Sequence, residues 1–72
     1  IAKDAFEQFC LNTDFGIEIL ELYDVSGRMV KQIYPSNELI YTVNIEELIS
    51  GIYFGKAKTK NGYRHFKIIK KS

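Results

Sequence analysis

The reactive side chains of this chain are one cysteine, one histidine and nine carboxylates, and their spacing assembles none of them into a catalytic group. His65 stands between Arg64 and Phe66, on the strand face that also carries Tyr63, Lys67 and Ile69. A zinc site needs about three or four ligands, and spacing brings neither a carboxylate nor Cys10 to this histidine. A Cys10–His65 nucleophile pair lacks a third group to orient the base and a loop to hold an oxyanion. Glu18 and Glu21 fall on opposite faces of a strand, and Glu46 and Glu47 are neighbours in a turn. Neither pair spans a cleft, as general acid–base work requires. The glycines at 16, 27, 51, 55 and 62 have no phosphate-loop spacing and open no helix. The sequence thus predicts no enzyme, no metal and no cofactor, with Cys10 a small apolar filler and His65 a surface residue.

The elements that would position these groups read as short strands between turns. Ala5 to Leu11 is a weak strand-forming segment that ends at the breaker cluster Asn12-Thr13-Asp14, with Gly16 just beyond. Ile17 to Tyr23 alternates, with Leu20 and Leu22 on one face and Ile19, Glu21 and Tyr23 on the other. Asp24-Val25-Ser26-Gly27 is a turn that reverses the chain into Arg28 to Ile33, because Asp bonds its own backbone and Gly27 tolerates positive φ. Pro35-Ser36-Asn37 breaks that strand. Leu39, Tyr41, Val43 and Ile45 then give the cleanest period of two in the chain. Asn44 to Ser50 has the capping pattern of one helical turn, closed by Gly51. Ile52 to Thr59 and Tyr63 to Lys70 are the last two strands, joined at Lys60-Asn61-Gly62. In the first of these the lysines argue that Tyr53, Gly55 and Ala57 face inward, Gly55 leaving room for an aromatic ring from a facing sheet. Six such strands predict an all-β, antiparallel sandwich or small barrel.

Seventy-two residues make one domain, and a chain of this size buries only about 60% of the surface its unfolded form exposes. A single cysteine excludes a disulfide-dense scaffold. No apolar run approaches the roughly 18–20 residues of a membrane helix, and no signal peptide opens the chain. The chain begins at Ile1 rather than Met, as a piece of a longer protein would. A net charge of +1 conceals a division. Residues 1–55 hold all nine acids against Lys3, Arg28 and Lys31, a balance of −6, whereas residues 56–72 hold seven cations and no acid. That asymmetry points to an interacting surface. The alternative is that the two halves pair across adjacent strands and neutralise each other.

Residues 17–72 resemble the C-terminal sorting domain of the type IX secretion system. The similarity is carried by Ile19-Leu20-Glu21-Leu22-Tyr23 leading into Asp24-x-x-Gly27-Arg28, by Leu48-x-x-Gly51-Ile52-Tyr53, and by the basic strand Lys67-Ile68-Ile69-Lys70-Lys71-Ser72. Residues 1–16 are then a lead-in segment or first strand that shows none of the family's Tyr-Pro-Asn-Pro-like opening. The resemblance implies an immunoglobulin-like β-sandwich of six to seven strands at the end of a larger exported protein. Its upstream cargo domain would pass through the periplasm to the outer-membrane surface, or be secreted. The partners implied are the outer-membrane translocon, its shuttle components and a sortase-like surface peptidase. The residues implied as the signal are Asp24, Gly27, Arg28, Gly51, Tyr53, Lys67, Lys70 and Lys71. On this reading an exposed last strand offers its backbone for strand addition and its lysines for steering.

Two other functions fit the same pattern. One is a generic immunoglobulin- or fibronectin-like accessory module for adhesion or carbohydrate contact. The other is a small basic β domain on single-stranded nucleic acid, with lysines on phosphates and Tyr53, Phe54, Tyr63 and Phe66 stacking bases. The same aromatics are better explained as core, because they supply most of the burial a small β domain has, and no nucleic acid is expected.

Overall fold

The computed structural model describes residues 2–36 and 38–71, so the parts of the expected turn and last strand that fall on Asn37 and Ser72 lie outside the described residues. Six strands follow in order: β1 (Ala2–Ala5), β2 (Gln8–Tyr23), β3 (Met29–Ile33), β4 (Glu38–Asn44), β5 (Gly51–Thr59) and β6 (Gly62–Lys70). They form one curled sheet, ordered β1-β6-β5-β2-β3, with β4 also paired to β2. The all-β, sandwich-like architecture is as the alternation of β-branched and aromatic residues predicts. Six strands are seen among the described residues, within the expected six to seven, and β1 runs parallel to β6, a departure from an all-antiparallel plan.

The breaker cluster at Asn12-Thr13-Asp14 does not end a strand; β2 runs on through it for sixteen residues. At a strand's rise that length would reach about 50 Å, yet the longest dimension of the molecule is 32 Å. β2 therefore bends. The bend falls where the register against β4 jumps between Asn12 and Ile17. Thr13 holds it, its hydroxyl bonded to the Phe15 carbonyl and accepting from the Phe15 amide at 3.3 Å. β3 and β4 lie in succession along one edge of β2, interrupted at Pro35 and at Ser36, whose φ is +59°. One long ribbon is thus folded near its middle. Its first half closes over the sheet, where the ring of Phe9 meets that of Phe66 on β6 at 5.7 Å.

The core lies between these layers: Ala5, Phe9, Ile17, Leu20, Leu22, Val43, Ile45, Tyr53, Ala57 and Ile68. Leu20 and Leu22 are on the buried face, as their alternation predicts, and Tyr53, Gly55 and Ala57 form the inner row of β5. Leu39, by contrast, is exposed, because β4 begins beyond the core at the folded corner. The aromatic ring beneath Gly55 does come, but from the adjacent strand of the same sheet. Phe66 is the direct cross-strand partner of Gly55 and lies over it. Ala5 and Phe9, from the lead-in segment, are part of this same core.

Candidate recognition surface

The turn after β2 is built by one carboxylate. Gly27 N donates to Asp24 O at 3.0 Å and Asp24 N to Arg28 O at 2.9 Å, with Gly27 at φ +89°, the form of a type I turn closed by a glycine. Asp24 Oδ1 accepts from Ser26 Oγ at 2.7 Å, Ser26 N at 3.0 Å and Arg28 N at 3.0 Å. Its Oδ2 stands 3.4 Å from Arg28 Nε. The Ser26 hydroxyl first, and then the Arg28 amide, hold this carboxyl below the ordinary aspartate range. A carboxylate so engaged is a turn lock. Arg28 itself is 79% exposed, so the rest of its guanidinium faces solvent.

Facing this turn is the segment that enters β5. The sequence here forms a turn and no helix: Asn44 Oδ1 accepts from Glu46 N at 2.9 Å, and Leu48 N donates to Ile45 O at 3.0 Å. Asn44 caps its own turn, and the chain is diverted before an α-helical bond forms. Gly51 takes φ +153°, and the buried Tyr53 donates its hydroxyl to Ile49 O at 2.6 Å. Asp24, Val25 and Ser26 on one side and Ile49 to Tyr53 on the other line a single hollow of about 200 Å³. Val25 and Ile49 stand out of it, 72% and 81% exposed.

The basic strand reaches the same end, but not as an edge. β6 lies between β5 and β1, and Ala2 to Ala5 cover its edge from Lys67 to Lys70. The expectation of an exposed last strand is therefore corrected: β1 has taken the backbone groups that strand addition at the lysines would use. Lys70 pairs with Gly51 and Lys67 with Phe54. Lys71 N donates to Ala5 O at 2.7 Å. Glu47 is held below its ordinary range, chiefly by a 2.6 Å hydrogen bond from Lys31, with the charge of Lys70 adding to it. Of the predicted signal residues, the structure brings Asp24, Gly27, Arg28, Gly51, Tyr53, Lys70 and Lys71 to one end. Lys67 lies further along the outer face.

Among the described residues no ion pair joins the two halves of the chain. The ion pairs among the described residues are Arg28–Asp24 and Lys31–Glu47, and neither involves a cation of residues 56–71. Glu21 lies directly across from Lys56, yet its oxygens accept from Tyr23 OH and Gln32 Nε2, each at 2.9 Å. That bond raises the Tyr23 hydroxyl above its ordinary range. Lys56 Nζ sits instead over the Tyr63 ring, 4.6 Å from its centre. Ile52 and Phe54 share this outer face and are substantially exposed. Sequence reasoning put these two outside with the lysines, but missed Val25 and Ile49. Their signal was a β-branched residue in each of two turns, where no strand explains it. Cys10 and His65 are both exposed, and among the described residues no three metal-ligating side chains gather.

The fold and this end define a small β-sandwich-like module that presents a shaped, cationic and partly apolar surface. Residues 5–71 match the family model described as the secretion system C-terminal sorting domain, and the chain belongs to that family. It is a type IX C-terminal sorting signal domain, and the match begins well ahead of Ile17, where the motif resemblance starts. No curated protein and no solved structure matches the chain.

Proposed function

We propose that this domain carries an upstream cargo protein, fused in the same chain, from the periplasm through the type IX outer-membrane translocon. The end formed by the Asp24–Arg28 turn and the Ile49–Tyr53 segment is the surface the machinery reads. Lys67, Lys70 and Lys71 steer it toward an acidic partner, whether translocon or shuttle component. After passage a sortase-like peptidase removes the domain, and the cargo is attached at the cell surface or released. The domain itself contributes binding and no catalysis.

The observation that carries this reading is convergence. Segments separated by more than twenty residues, each matching a different family motif, line one hollow, and the basic strand ends beside it. Val25 and Ile49, one on each side of that hollow, add exposed apolar surface to it.

The test is export of a periplasmic reporter fused to residues 1–72 in a host with this secretion system. Residues 17–72 would not suffice, because Ala5 and Phe9 belong to the core. Deleting Lys67 to Ser72 would also mislead, since it removes the buried Ile68 and the partner of β1. Ile49→Asp combined with Arg28→Glu changes two exposed side chains, the second also giving up its 3.4 Å contact with Asp24. Retention of that reporter in the periplasm, with folding intact by circular dichroism, is the expected result; undiminished export would end the assignment of this surface.

A further inference from the structure

The bend in β2 leaves two strand edges facing each other with no described strand ladder between them. β4 holds one edge of the first half of β2, and no described strand pairs with its other edge. Among the described residues β1 covers β6 only from Lys67 to Lys70, so Gly62 to Phe66 have β5 on one side and no described strand on the other. Between these edges runs an open groove of about 280 Å³. Phe9, Leu11 and Phe66 line its inner side together with Arg64, and His65 and Lys67, on the outer face of β6, stand at its rim. No carboxylate lines it. The contact across the seam is long, Arg64 Nη1 to Asn12 O at 3.5 Å.

We propose that this groove takes an extended acidic segment of a partner protein, which adds as a strand to the free edge of β6. Unpaired backbone donors and acceptors on an edge strand supply register and main-chain hydrogen bonds. The aromatic inner side accepts every second side chain, which must be apolar, while the intervening side chains meet the rim. The rim is cationic and unneutralised, so those side chains are carboxylates. The groove opens on the flank of the sheet and shares Lys67 with the steering cations named above, whereas Arg64 is in none of the three motifs, so a change at Arg64 separates this binding from the end surface.

The probe is a capped peptide of alternating glutamate and valine, titrated into the 72-residue chain and followed by amide NMR. Saturable shifts at Leu11, Arg64 and Phe66 are expected, weakening as salt screens the rim. Arg64→Glu should weaken binding on the order of tenfold, and Lys58→Glu, the same charge change on the exposed outer face, much less. The same peptide with alternate backbone nitrogens methylated should lose binding, a control that leaves the protein untouched. Equal binding of a lysine–valine peptide, or of the methylated peptide, overturns the proposal. So does an absence of shifts at the groove, or broadening of those amides with protein concentration alone, which would make a second copy the occupant.

Discussion

Gly55→Ala is the substitution that best tests how the layers are held together. A strand glycine normally costs about 0.5–1 kcal/mol relative to alanine, so the change at an open site should stabilise. Here a Cβ would stand 2.1, 2.2 and 2.6 Å from Cζ, Cε2 and Cε1 of Phe66. The ring must yield, and it is confined on its other side by Phe9. If it swings outward, a half-buried phenylalanine gives up about 1 kcal/mol of burial and a further ~1 kcal/mol of ring pairing. If it stays, overpacking costs about 1–3 kcal/mol. Either route outweighs the intrinsic gain, and the net loss is about 1–2 kcal/mol.

Urea unfolding followed by far-ultraviolet circular dichroism measures this directly, as a lower midpoint at unchanged slope. The decisive comparison is with Phe66→Ala as background. That change alone should cost about 2 kcal/mol, below the range for a fully buried ring because Phe66 is half-buried. With the ring gone the Gly55→Ala substitution meets no clash and should become stabilising by about 0.5 kcal/mol. The coupling between the two sites is then about 2 kcal/mol. A Gly55→Ala variant as stable as the parent, or one destabilised equally in both backgrounds, would refute the account.

Asp24 has a depressed folded value, so its contribution is complete above the ordinary aspartate range and disappears as pH falls through the folded value. Asp24→Asn should therefore flatten stability against pH in that acid window, as read by urea midpoints at successive pH values. Lys31→Met should cost at most about 1 kcal/mol and shift the Glu47 carboxyl back toward its ordinary range in a carboxylate NMR titration. Gly51→Ala meets no atom within 4 Å but must hold φ +153°, so about 1–3 kcal/mol of backbone strain appears with no rescue from any neighbouring truncation. Ile49→Asp alone should change stability by no more than about 0.5 kcal/mol while lowering export of the reporter fusion.

What could be read from the residues was local. The alternation of Leu20 and Leu22 against Ile19 and Glu21, and the inward row Tyr53, Gly55, Ala57, follow from a period of two and need no tertiary knowledge. The turn at Asp24 follows from side-chain chemistry confined to five residues. Apart from the turn at Asn44, which its own side chain diverts from a helix, the larger failures were non-local. Nothing in Asn12-Thr13-Asp14 says that the strand will bend rather than stop, because the partner that keeps it extended, β4, lies some thirty residues away. The parallel pairing of β1 with β6 joins the two ends of the chain, and it was this pairing that converted the expected edge strand into an interior one. The same distance hid the meeting of Asp24 with Gly51, although each motif was visible alone.

That meeting has a consequence for how a signal of this kind can fail. Its parts are assembled only in the folded chain, so a variant can lose export either by unfolding or by altering the surface, and the two must be separated. A domain of this length has roughly 4–11 kcal/mol of stability. A loss of about 2 kcal/mol at Gly55 leaves well over nine-tenths of the molecules folded even at the lower bound. Gly55 and Phe66 are not among the residues that line the hollow, so Gly55→Ala should leave export almost unchanged despite its larger effect on stability. Ile49→Asp, almost silent in stability, should reduce export more. The order of the two variants is thus opposite in the two assays. Destabilisation acting through the unfolded population ranks them the same way in both, so the inversion separates a surface that is read from a fold that merely has to persist.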